Sequence, residues 1–237
     1  MGSAMKILKG LLIILLLNAT STHAQYASPI AGGVDVGVSV GSNSWAPSMM
    51  YHEEIGPQKL PWLRFGVGFR VWGLYGGRAN LYTERIAGTK DYLEFRDVSV
   101  NGLSAVAGVN VSFWKLDIGV NTDLLGLTYG SKRHGYYEKN LPPTETGKPP
   151  YDQWVASKPT VFNALPLVLR RNTGQSEAFV RFKASRKLGV KLGYACSRLT
   201  YTTKKIDGFN VYLDNNQRHV SKVYGLPYVA LAFALGN

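Results

Sequence analysis

From residue 34 onward apolar side chains recur at every second position in seven separate runs. Val34, Val36, Val38 and Val40 share one face, with Asp35, Gly37 and Ser39 on the other. Phe65, Val67, Phe69 and Val71 alternate with Arg64, Gly66, Gly68 and Arg70. The third run goes from Leu103 to Phe113, the fourth from Leu116 to Val120 and the fifth from Ala178 to Phe182. The last two span Leu188–Tyr194 and Val229–Leu235. Side chains of an extended chain point alternately to opposite faces, so each run is a strand held between two different environments.

Seven strands call for an eighth to close an even-numbered sheet, and Arg78–Ile86 supplies the expected one. Tyr92–Phe113 would exceed about 70 Å at ~3.3 Å per residue, too long for one bilayer crossing of about ten tilted residues. Its apolar phase slips near Asn101-Gly102, which predicts a bulge or break there; the upper part is expected to extend beyond the membrane, with ten strands as the alternative count. Trp114-Lys115 and Ser185-Arg186-Lys187 read as tight turns, and Gly73–Gly77 as a short one. Ser42–Pro61, Ser131–Ser176 and Thr203–His219 read as long loops. Short turns at one end and long loops at the other are the habit of a membrane barrel.

Mean hydropathy of −0.08 excludes a helical membrane bundle, whereas alternating strands average to neutral. In a soluble barrel the apolar face turns inward, and in a membrane barrel it turns to lipid. Trp72, Tyr75, Trp114, Tyr129, Tyr201 and Tyr228 near strand ends favour the second arrangement. So do Gly66, Gly68, Gly119, Gly189 and Gly193, which suit a crowded interior. At the amino terminus, Lys6 and Lys9 precede the apolar run Leu11–Leu17, and Thr22 and Ala24 mark a cut before Gln25. This pattern predicts a cleaved secretory signal over residues 1–24 and a barrel domain over 25–237. One Cys excludes a disulfide framework, and Cys196 continues the lipid-facing phase of Tyr194.

Lys115–Gly130 (KLDIGVNTDLLGLTYG), Gln175–Lys183 with Lys187–Tyr194, and Leu199–Thr203 resemble outer-membrane β-barrel domain proteins of the porin superfamily. The resemblance covers about half the chain and implies outer-membrane residence, while supplying no catalytic residues. The expected fold is therefore all-β, an antiparallel up-and-down transmembrane barrel of eight strands, in the outer membrane of a Gram-negative-type bacterium.

An eight-stranded barrel has an interior that side chains just fill. Asp35, Asp117, Asp123 and Glu177 would face Arg64, Arg70, Arg181, Lys183 and Lys191 there, pairing into a plug. A small porin-like channel is the competing reading. His219-Val220-Ser221 sets a His and a Ser on one strand face, a spacing resembling the pair of lipid A deacylases. Gln217, Arg218 and Lys222 around it read instead as loop-end surface, so no catalytic residue is assigned. A soluble periplasmic lipocalin-like barrel is a further alternative.

The long third loop carries Lys132, Arg133, His134, Tyr136, Tyr137, Lys139, Lys148 and Trp154 among Pro142, Pro143, Pro149 and Pro150. The plainer reading is a solvated, Pro-stiffened surface loop; basic residues interleaved with aromatics also fit lipopolysaccharide phosphates or an acidic glycan, an extracellular ligand at the long loops. Thr160–Leu169 is apolar without alternation and is expected to fold over the barrel mouth as a plug or short helix, or to pack on itself as a loop. Asp, Glu and His show no metal-ligand spacing, and no cofactor is expected. The expected partners are outer-membrane lipids and lipopolysaccharide, with no nucleic acid and a monomeric state.

Overall fold

A computed structural model describes residues 30–83, 92–137, 152–166, 168–205, 210–213 and 217–235. The predicted leader, residues 1–24, lies outside the described residues, as do Lys139, Lys148 and the four loop prolines. The described residues form thirteen antiparallel strands. In order these are β1 (Ile30–Gly41), β2 (Ser44–Ile55), β3 (Leu63–Gly76), β4 (Ala79–Tyr82), β5 (Tyr92–Phe95), β6 (Val98–Phe113) and β7 (Leu116–Tyr129). There follow β8 (Arg133–Tyr137), β9 (Gln153–Pro159), β10 (Phe162–Ala164), β11 (Gly174–Lys183), β12 (Leu188–Thr203) and β13 (His219–Leu235).

Their pairing makes two stacked rings. β1, β2, β3, β6, β7, β11, β12 and β13 each pair with the next, and β13 returns to β1. Ile30 and Leu235 lie together at one end, the terminal end. At the opposite end, the loop end, β12 and β13 run on and close a second, smaller ring with β4, β5, β8 and β9. The eight-strand expectation is thus corrected to thirteen, because the long loops carry strands of their own.

The expected eighth strand also falls elsewhere. Among the described residues of Arg78–Ile86, Ala79–Tyr82 is strand, and it belongs to the smaller ring. The large ring is completed by β2, inside the span read as a long loop. Ser42-Asn43 is a two-residue hairpin, and Gly73–Gly77 is no turn, since β3 continues to Gly76. Links at the terminal end are short throughout: residues 56–62, 114–115 and 184–187.

β6 runs unbroken through Asn101-Gly102, and the register shift with β7 lies instead between Ala105 and Val106. The apolar phase slips because the strand crosses between two environments. Below that point Leu103, Val109 and Val111 face out and Ser104 and Asn110 face in; above it Val98 and Val100 face in and Ser99 and Asn101 face out. β3 changes in the same way. Phe65, Val67, Phe69 and Val71 point out near the terminal end, and Trp72 and Leu74 point in near the loop end.

Candidate functional site

The eight-stranded ring contains a continuous ion network. Arg70 on β3 is fully buried and reaches across the lumen. Its Nη1 donates to Asp123 Oδ1 at 2.9 Å, its Nη2 lies 3.5 Å from Glu177 Oε1, and Nη2 also donates to Asn121 Oδ1. Lys191 on β12, also fully buried, bridges Asp35 Oδ2 at 3.0 Å and Glu177 Oε2 at 3.2 Å. Nearer the terminal end Arg181 joins Asp117 (2.8 Å) to Glu54 (2.9 Å), and Lys183 lies 2.6 Å from Asp117. His52 sits between Asp35 and Glu54, its ring nitrogens 3.5 and 3.4 Å from their oxygens.

Alternation explains the placement. Every one of these side chains occupies the inward phase of its strand, and five carboxylates (Asp35, Glu54, Asp117, Asp123, Glu177) meet four cations (Arg70, Arg181, Lys183, Lys191), with Arg64 on the same inward phase. Charges this buried persist only when paired and hydrogen-bonded. Of the nine lumen residues expected from sequence, eight are tied into this network, while Arg64 makes no ion pair among the described residues. Asn121 joins the network from the polar phase it shares with Asp117, whereas His52, Glu54 and Gln175 are additions to the expected set. His52 and Glu54 lie on the strand read as a loop, and the inward set Ser48, Met50, His52, Glu54 opposite Met49, Tyr51 and Ile55 was the available signal.

Above the network the interior becomes apolar. Trp72, Leu74, Val100, Phe95, Leu199 and Leu226 belong to one buried cluster that fills the loop end. Trp72 Nε1 donates to Ser104 Oγ at 3.1 Å, and Tyr201 Oη donates to the Ser99 carbonyl at 2.8 Å. Burial holds the Tyr201 phenol above its ordinary pKa. Trp72, Tyr201 and Tyr228, expected among exposed strand-end aromatics, are therefore corrected to inward-facing, because each falls in the inward phase of its strand. Tyr75, Trp114 and Tyr129 do face out, joined by Trp45, which stacks on Tyr75 at 5.0 Å.

The outer surface of the smaller ring is polar and aromatic. Arg78 pairs with Glu94, whose carboxylate raises the guanidinium pKa. Arg96 stacks over Trp154 at 5.2 Å, and Tyr136 meets that indole at 5.5 Å. Lys132, Arg133 and His134 are accessible beside them, Arg133 pairing with Asp97 at 2.5 Å. Tyr137 is corrected: it is wholly buried in the apolar cluster, one residue out of phase with Tyr136.

His219 and Ser221 share a face of β13, about 6.6 Å apart at strand spacing, and His219 Nδ1 hydrogen-bonds with Thr202 Oγ1 at 3.0 Å. The described residues of Thr160–Leu169 do not plug the mouth. Phe162–Ala164 extends the wall beside β7, and Phe162, Val168 and Leu169 face outward. Among the described residues no group of His, Cys, Asp and Glu could hold a metal ion.

No family model matches the chain, and no curated protein matches it. Among solved structures it is similar to Neisserial surface protein A, with 9% identity and a TM-score of 0.32 over 86% of this chain and 94% of that one. It is also similar to a major outer membrane protein from Thermus thermophilus, with 9% identity and a TM-score of 0.42 over 90% and 100% of the two chains. The functional reading rests on the chain's own residues.

Proposed function

We propose that this chain is an integral outer-membrane barrel whose eight-stranded ring crosses the bilayer with a closed lumen, and whose smaller ring projects outside as an interaction surface. One observation carries the reading: inside–outside polarity inverts along single strands. Phe69 and Leu192 are 61% and 58% exposed around a charged interior, whereas Leu74 and Leu199 on the same two strands are fully buried. Water cannot be the solvent of both halves, because soluble monomers rarely expose apolar patches beyond a few hundred Å². Hydrocarbon around the larger ring and water around the smaller one satisfy both.

The interfaces carry fitting residues. Trp114, 84% exposed, holds a left-handed φ of 51° in the β6–β7 turn, a costly conformation for a bulky side chain. An indole anchored at the periplasmic lipid surface gives that cost a return. On this reading both described ends lie on the periplasmic side, after removal of the signal at residues 1–24. The partners are membrane lipid and lipopolysaccharide, plus an acidic extracellular ligand at Lys132, Arg133, His134, Tyr136 and Trp154. The chain acts as a monomer and not as an enzyme.

The refolded chain is expected to resist alkaline extraction from membranes and to shift in gel mobility on boiling. In planar bilayers it is expected to give no stable conductance steps, because ion pairs and an apolar chamber block the bore in series. Release by alkali would overturn membrane integration, and regular open steps would overturn the closed lumen.

A further inference from the structure

The ion network does not fill the ring to its terminal end. A cavity of about 220 Å³ opens there, lined by Gly33, His52, Arg64, Arg181, Arg186 and Lys187 among others. One water needs about 10–15 Å³, so this space admits a small solute with its hydration. Small inward residues (Gly33, Gly189 and Ala232) keep one wall open. At its top Arg181 and Lys191 hold Asp117, Glu54 and Asp35, so the carboxylates facing the cavity already have cationic partners.

Three cations remain. Among the described residues no carboxylate lies within ion-pair distance of Arg64, Arg186 or Lys187. Arg64 carries the sharper signal: its Nε is buried without a hydrogen-bond partner while the side chain lines the cavity. A buried guanidinium N–H without an acceptor is costly, and an anion beside it would remove that cost. Arg186 and Lys187 are exposed on the β11–β12 turn at the rim, where they add positive potential to the entrance.

We propose that this mouth is a binding site for a compact multivalent anion, a phosphate or a dicarboxylate, held by Arg64 with Arg186 and Lys187. The vestibule is blind, so the anion enters and leaves by the terminal end alone. The site rests on the closed-lumen reading above, whose own test is electrical and therefore independent.

The test is calorimetric titration of the refolded chain in zwitterionic detergent at low ionic strength, with inorganic phosphate and separately with succinate. Saturable one-site binding of either anion is expected, and the tighter of the two identifies the recognised group. Arg64→Gln is expected to weaken it about tenfold or more, the scale of one lost charged hydrogen bond. Arg78→Gln, on the smaller ring, is expected to leave it unchanged. Arg186→Gln with Lys187→Gln, both on an exposed turn, provides the same test if Arg64→Gln does not refold. Absence of saturable binding of both anions, or affinity in the Arg64 and turn variants equal to that of the unaltered chain, would overturn the site.

Discussion

Replacing Arg70 with Met is expected to lower the folding free energy by about 3–5 kcal/mol, the usual cost of removing one partner from a buried ion pair. Arg70 is the only link from β3 to both Asp123 on β7 and Glu177 on β11 among the ion pairs of the described residues. Asp123 and Glu177 are 2% and 3% exposed, so water cannot take over the role of the guanidinium. Asp123 keeps the Gln175 amide (2.8 Å), and Glu177 keeps Lys191 (3.2 Å) and Asn121 (3.0 Å), which limits the loss. Adding Asp123→Asn and Glu177→Gln to Arg70→Met removes the stranded charges and is expected to recover most of the stability. Urea titration of folding into lipid vesicles measures both variants. A loss below about 1 kcal/mol for the single variant would mean that the lumen is hydrated enough to solvate the two carboxylates.

The second large effect is directional. Phe69→Arg, on the outward face of β3 in the apolar belt, is expected to cost about 2–4 kcal/mol in the same vesicle assay. Asn80→Arg, outward on β4 in the smaller ring, is expected to change stability by no more than about 0.5 kcal/mol. Phe69 is 61% exposed and Asn80 half-buried, so exposure alone predicts the opposite order. Only a difference in surrounding solvent makes the more exposed site the less tolerant one. Equal small costs at both positions would argue for water around the whole chain.

Seven of the eight large-ring strands are legible as alternating runs because both environments of each run are uniform over many residues. β2 was not, and the reason lies in its residues. Glu53 stands among its outward positions beside Tyr51, whose Oη donates to Glu53 Oε1 at 2.6 Å, and Met50 and Ala46 stand among the inward ones. Polar-out and apolar-in positions at the two ends of one strand blur the period. The slip at Asn101-Gly102 has the same origin. A period-two pattern reports the contrast between faces, and that contrast changes sign where β6 passes from a ring with a charged interior to one with an apolar interior.

The smaller ring was hidden for a different reason. β4, β5 and β8 are only 4, 4 and 5 residues long, too short to show a period, and they exist through pairing with other segments. The charged lumen residues could be named from phase alone, yet their partners could not. Arg181 meets Glu54 across 127 positions of sequence, and Lys191 meets Asp35 across 156. Those pairings follow from ring closure, which no local pattern encodes.

The most direct test of a lipid belt beneath a watery outer ring is nitroxide accessibility in vesicles, with spin labels at Phe69, Val120, Asn80 and Lys158. Labels at Phe69 and Val120 are predicted to collide with oxygen dissolved in the bilayer and to be shielded from a water-soluble nickel chelate. Labels at Asn80 and Lys158 are predicted to show the reverse. Nickel-dominated collisions at Phe69 and Val120 would contradict the account.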